Sequence, residues 1–171
     1  MTETHITTAM RSVVGVEFAS STSFPIAKSD IRRWAVAVYY PDPPPQYFWD
    51  DTIDEASPEL TAPAEFNPFA WMSSHGPARA DDTGGADDPD YQFTILGVEG
   101  PGLKFQVNGG MSVTYGVPMK SGDVITASLS IAELGERTGR LGLMLLKTTE
   151  AVWTNQDGAE VKRERMTIIS Y

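Results

Sequence analysis

With 171 residues, 41% of them hydrophobic and 21% charged, the chain has room for one ordinary globular domain with a core of its own. Its 13 Lys and Arg against 23 Asp and Glu leave a net charge of -10 with no basic run, which argues against nucleic acid or an anionic membrane surface as partner. There is no cysteine, His5 and His75 match no metal-ligand spacing, and no run of about 18 apolar residues offers a membrane span, so a cytoplasmic protein without metal or thiol chemistry is expected.

The β-branched residues 13–18 predict a short strand or edge segment. Over residues 26–38, Ile31, Trp34, Ala35 and Val38 recur at helical spacing, with Ser29 as the N-cap; this helix must stop before Pro41. Pro41, Asp42 and the prolines at 43–45 form a stiff turn. Tyr47, Phe48 and Trp49 follow it, aromatics that either stack on a ligand or pin the loop to the core. A second helix is expected over 61–72, with Pro63 in its first turn, Glu65 at the positive end of its dipole and a kink at Pro68. Phe66, Phe69 and Trp71 make that helix apolar on most sides, hence buried.

Residues 76–90 turn to Gly, Pro, Ala and Asp, a solvated and mobile insertion within a single domain spanning 1–171. Its pairs Asp81–Asp82 and Asp87–Asp88 lack the spacing of a calcium loop. Strands are then expected at 91–96, 103–107, 111–115, 124–134, 141–154 and, after a turn at 155–158, at 161–171. In the last of these, Val161, Arg163, Arg165, Thr167 and Ile169 share one face, and Lys162, Glu164, Met166, Ile168 and Ser170 the other. Charge gives way to apolar residues along it, as in a strand entering the core from a wet end. Helices first and antiparallel strands second make an α+β domain, a sheet wrapped around one buried helix, for which residues 63–72 are the candidate.

A series of local motifs runs through this order: Ser29-Asp30-Ile31-Arg32-Arg33-Trp34-Ala35, Pro44-Pro45-Gln46-Tyr47, Ala62-Pro63-Ala64-Glu65-Phe66, Asn108-Gly109-Gly110, Val117-Pro118-Met119-Lys120-Ser121-Gly122-Asp123, and residues 137–158. By their order and spacing the chain resembles the MaoC-like (R)-specific enoyl-CoA hydratases and dehydratases, over about residues 14–171. The likeness is greatest to the N-terminal-type, non-catalytic half of their double-hot-dog members. The resemblance implies a single hot-dog domain and an acyl-CoA thioester as substrate, with no cofactor. In that family a carboxylate and an imidazole place a water and shuttle its proton, on the signature Asp-x-Asn-Pro-x-His.

Here the corresponding stretch is Asp42-Pro43-Pro44-Pro45-Gln46-Tyr47, so Pro44 stands at the Asn position and Tyr47 at the His position. A phenol titrating near 10 cannot trade protons at neutral pH as an imidazole does. The resemblance therefore implies a non-catalytic subunit that forms the acyl-binding side, in a heterodimer or heterotetramer with a MaoC-like partner supplying the catalytic Asp and His. It also suggests bulky acyl chains such as sterol side chains. Candidate substrate-binding residues are Tyr47, Trp49, Pro63, Glu65, Phe66, Phe69, Asn108 and Gly109. Two alternatives stand beside this reading. One is a self-sufficient homodimer, either a hydratase using Asp42 and Tyr47, with His75 as a substitute imidazole, or a thioesterase using Glu65 or Asp50. The other is an acyl-binding module without catalysis.

Overall fold

The structure is a computed structural model that describes residues 4–49, 59–70, 72, 85 and 88–171. Its frame is one five-stranded sheet: β1 (Glu17–Thr22), β2 (Gln106–Tyr115), β3 (Thr126–Gly139), β4 (Gly142–Thr154) and β5 (Glu160–Ser170), in the order β1-β3-β4-β5-β2. All neighbours are antiparallel. The two hairpins follow from their turn residues. Gly139 pairs with Gly142, and Gly142 takes a φ of 95° that only glycine adopts freely. In the next turn the Asn155 carboxamide accepts the N–H groups of Asp157 and Ala159.

Strand alternation divides the sheet into two faces. Ala127, Leu129 and Ile131 of β3 lie opposite Trp153, Ala151 and Thr149 of β4, and these side chains turn toward the helices and loops. Two apolar clusters form on that inner face. The first gathers Ile31 and Ala35 of helix α2 (Lys28–Tyr39) with Phe66, Ala127 and Trp153. The second joins Met10 of α1 (Thr8–Ser12) and Phe93 of α3 (Tyr91–Ile95) to Ile131 and Leu145. Each large side chain fully withdrawn from water there contributes about 1.5–3 kcal/mol.

Several expectations are corrected. Residues 61–70 are not helical: Thr61 makes a single bridge to Lys120, and the chain then runs through turns at 64–65 and 68–70. Pro63 and Pro68 each lack an N–H, and Asn67 turns its side-chain oxygen onto the Phe69 N–H instead of leaving the backbone to a helix. The helix packed into the first cluster is therefore α2. Residues 91–95 form helix α3 rather than a strand, because Phe93 and Leu96, three residues apart as on one helix face, both pack in the second cluster. Helix α2 is preceded by Ala27, not capped by Ser29, and no side chain caps its first turn. In the first segment Val14 makes only an isolated bridge, and strand β1 begins at Glu17. The supposed wet end of β5 is dry, with Val161 and Lys162 both buried.

The N-terminal residues are tied to β3 by one carboxylate. Glu136 accepts from the Thr4 hydroxyl at 3.0 Å and from the N–H groups of His5 and Ile6 at 2.5 and 3.1 Å. Burial works to raise its pKa, but these three donors outweigh it and hold the carboxyl below its ordinary value. A depressed carboxylate stabilises the fold above the unfolded-state pKa and stops doing so as pH falls through the folded value. Glu136→Gln is expected to reduce hydrogen-exchange protection of the Met10 amide by about tenfold. Acidifying the unmodified chain below the ordinary carboxylate range should mimic that loss.

Candidate functional site

Between the two clusters the described residues leave the inner face of the sheet partly uncovered. A groove of about 160 Å³ lies there, lined by Met111 of β2, Leu129 of β3, Thr149, Glu150 and Ala151 of β4, and Glu164 and Met166 of β5. Met111 is 65% exposed and Met166 38%, so a strip of flexible, polarisable side chains faces solvent. Register places these residues side by side, with Met111 opposite Met166 and Met166 opposite Thr149. Lys162, one step along β5 on the same face, is 5% exposed. Its ammonium contacts Glu164 at 2.7 Å and sits 4.6 Å from the Trp153 ring centroid.

A second hollow, about 230 Å³, opens where residues 61–64 run beside 115–119. Glu65 stands near it as the acceptor of the Tyr115 hydroxyl, and that hydrogen bond, followed by some desolvation and the charges of Glu65 and Glu164, pushes the phenol up to about 12. A larger hollow of about 280 Å³ on the outer face is polar, with Glu133, Thr148, Arg165 and Thr167 among its walls. Its arginine is already engaged by Glu133 at 3.4 Å and Glu150 at 3.5 Å.

The predicted residues do not converge. Asp42 is exposed, and its side chain has no hydrogen bond or ion pair among the described residues. Tyr47 lies in a short 3-10 helix (Gln46–Trp49), and its hydroxyl accepts the Thr61 N–H at 2.9 Å. Its neighbour Phe48 is 6% exposed and packs in the first cluster, whereas Tyr47 and Trp49 remain more than a third exposed. Of the two readings of this aromatic trio, Phe48 and the Tyr47 hydroxyl pin the loop. Tyr47→Phe should therefore leave the Thr61 N–H without its acceptor and cost about 1 kcal/mol, measurable by denaturant titration.

Pro63 lines the second hollow. Phe66 is buried in the first cluster, and Phe69 meets Trp153 edge-on at 5.0 Å. Asn108 and Gly109 build a bulge in the edge strand β2, where the Asn108 carboxamide accepts the Gly110 N–H at 2.7 Å. A Cβ at Gly109 would lie 2.9 Å from Ile169, so the bulge needs a glycine. Asp50, Trp71, His75, Asp81, Asp82, Asp87 and most of the expected insertion at 76–90 lie outside the described residues. Among the described residues no group of three or more His, Asp or Glu could hold a metal ion, and no helix is long and apolar enough to cross a membrane. Sequence reasoning missed Met111, Glu164 and Met166 as neighbours in one groove, with Lys162 bound to Glu164 beside it. The alternation of β5 had already put Lys162, Glu164 and Met166 on a single face.

The family model of the FAS1-like, dehydratase domain region matches residues 12–164. The chain belongs to that family. This FAS1-like dehydratase domain has the hot-dog fold, in agreement with the MaoC-like resemblance of its sequence. It is similar to a chain of the ChsH1-ChsH2 complex from Mycobacterium tuberculosis at 16% identity and a TM-score of 0.58, covering 95% of this chain and 89% of that one. It is also similar to the R-hydratase PhaJ1 from Pseudomonas aeruginosa at 17% identity and a TM-score of 0.50, covering 92% and 81%. No curated protein matches it.

Proposed function

We propose that this chain is the non-catalytic subunit of a heteromeric enoyl-CoA hydratase or 3-hydroxyacyl-CoA dehydratase. It would hold the acyl group of a coenzyme A thioester in the inner groove while a MaoC-like partner supplies the catalytic Asp and His. The observation that carries this reading is the fate of the motif positions. Tyr47 spends its hydroxyl on the Thr61 N–H, and Asp42 stands in solvent with no hydrogen bond to Tyr47. These two positions form no hydrogen-bonded carboxylate and imidazole pair of the kind that places a water and shuttles its proton in that chemistry.

Two features support a partner. Strand β2 is ten residues long and lies at the sheet edge, with Val107, Met111 and Tyr115 exposed along it; pairing with another strand would close that edge. The similar ChsH1-ChsH2 structure is by its name a complex of two components. The test is coexpression with a MaoC-like chain that carries the full Asp-x-Asn-Pro-x-His signature. The two should copurify and together hydrate a trans-2-enoyl-CoA, followed by loss of its conjugated ultraviolet absorbance, while this chain alone is inactive. Turnover by the single chain would reject the proposal in favour of the self-sufficient enzyme. In that case Glu65→Gln separates a Glu65-dependent thioesterase from a hydratase, since only the former should lose activity.

A further inference from the structure

The inner groove is mostly apolar, but two acidic residues line it, Glu150, whose two oxygens are engaged by Arg163 and Arg165, and Glu164, which a plain hydrocarbon tail would not require. Glu164 lines the groove beside Met111 and Met166. One of its oxygens, Oε1, is held by the buried Lys162 ammonium, and the other, Oε2, has no hydrogen-bond or ion-pair partner among the described residues. The other charged groups nearby are already committed. Arg163 and Arg165 alternate to the opposite face of β5, where Glu150, Glu160 and Glu133 engage them. Tyr115, the nearest hydroxyl on the same face of β2, gives its proton to Glu65. The pair is also fixed in place, because Lys162 is clamped between Glu164 and the Trp153 ring.

An acyl chain lying in this groove displaces the water that solvates Oε2. A saturated tail then leaves a carboxylate oxygen desolvated and unpaired, whereas a tail bearing a hydroxyl at that depth replaces the lost water with a charge-assisted hydrogen bond. We infer that the groove selects acyl groups carrying a hydroxyl along the tail, beyond the reacting carbons, with Glu164 Oε2 as its acceptor. This rests on the acyl-groove reading above and adds the substrate class.

The test compares dodecanoyl-CoA with a series of its mono-hydroxylated analogues, the hydroxyl walked from mid-chain to the end, titrated calorimetrically against the full chain and against its copurified complex. At least one analogue should bind roughly 10- to 100-fold tighter than dodecanoyl-CoA. Removing Glu164 alone would strand the buried Lys162 charge, so the matched variant is Lys162→Met with Glu164→Leu, which replaces the pair by apolar side chains. That variant should bind all the thioesters alike and dodecanoyl-CoA more tightly than the unmodified chain does. Equal affinities throughout the series, or a preference that survives in the double variant, would overturn the selectivity while leaving the acyl groove standing. Failure of every thioester to bind would overturn both.

Discussion

Phe66→Ala is expected to lower the free energy of unfolding by about 3–5 kcal/mol, read as a drop in denaturation midpoint with an unchanged slope. The ring is 1% exposed and meets Trp34 edge-on at 5.7 Å. It sits among Ile31, Ala35, Ala127 and Trp153, so it links helix α2 to the sheet. Its own segment can do little to refill the space. Residues 60–66 are held at intervals, by Ala62 N–H to Met119 at 2.9 Å, Leu60 N–H to the Ser121 hydroxyl at 2.8 Å and Phe66 N–H to Pro63 at 2.9 Å. Two nearby prolines restrict any collapse into the cavity. Trp34 fluorescence should shift with the loss of its partner. Phe105→Ala, at a ring 64% exposed and stacked only on Tyr171, is the control and should cost well under half as much. Equal losses in the two variants would mean that residues 60–66 do not bridge helix and sheet.

That prediction also marks where the sequence was legible. Strands β3, β4 and β5 could be read because alternation over ten or more residues and turn residues such as Asn155 and Gly158 act locally. The pattern of β2 reads instead as two short strands, 103–107 and 111–115, because Asn108, Gly109 and Gly110 interrupt it. Helix α2 could be read from the same kind of evidence, the spacing of Ile31 and Ala35. Residues 61–70 could not. Their aromatic spacing suits a helix, yet the competing term was backbone chemistry, with two prolines and an asparagine withdrawing donors that a helix needs. Residues 91–95 failed for the opposite reason: five residues carry too little periodicity to choose between strand and helix, and the burial of Phe93 against Ile131 and Leu145 decided it. For the site, a tyrosine at position 47, where the resemblance would place a histidine, was legible, but the use of its hydroxyl on Thr61, fourteen residues away, was not. The groove was invisible for a related reason. Met111 and Met166 become neighbours through strand pairing across more than fifty residues, with a bulge at Asn108 and Gly110 shifting the register.

Raising the pH from 7 to 10 is expected to stabilise the unmodified chain relative to its Lys147→Met variant by on the order of 3 kcal/mol. Lys147 is 2% exposed on the inner face of β4. Its ammonium donates to the Pro89 carbonyl and the Gln92 side-chain oxygen, both at 2.5 Å, and lies 5.1 Å from the Phe93 ring centroid. Desolvation lowers its pKa from 10.5 to about 8, and the negative charges of Asp90 and Asp88 offset only part of that cost. The unfolded lysine keeps its proton up to about 10.5, so between the two values the unfolded chain binds more protons than the folded one. Stability therefore rises with pH across that window, and below about 8 the whole cost of burying the charge weighs on the fold. Methionine removes the titrating group and the cost together, but leaves the Pro89 and Gln92 oxygens without their donor. Near pH 7 these effects oppose each other and the variant should be close to the unmodified chain, whereas by pH 10 it should be clearly weaker. Other groups titrating in this range contribute to both proteins alike, so the difference between the two unfolding curves isolates Lys147. Parallel pH profiles would mean that the ammonium is not desolvated where α3 covers the sheet, and that contact would then owe its strength to Phe93 alone.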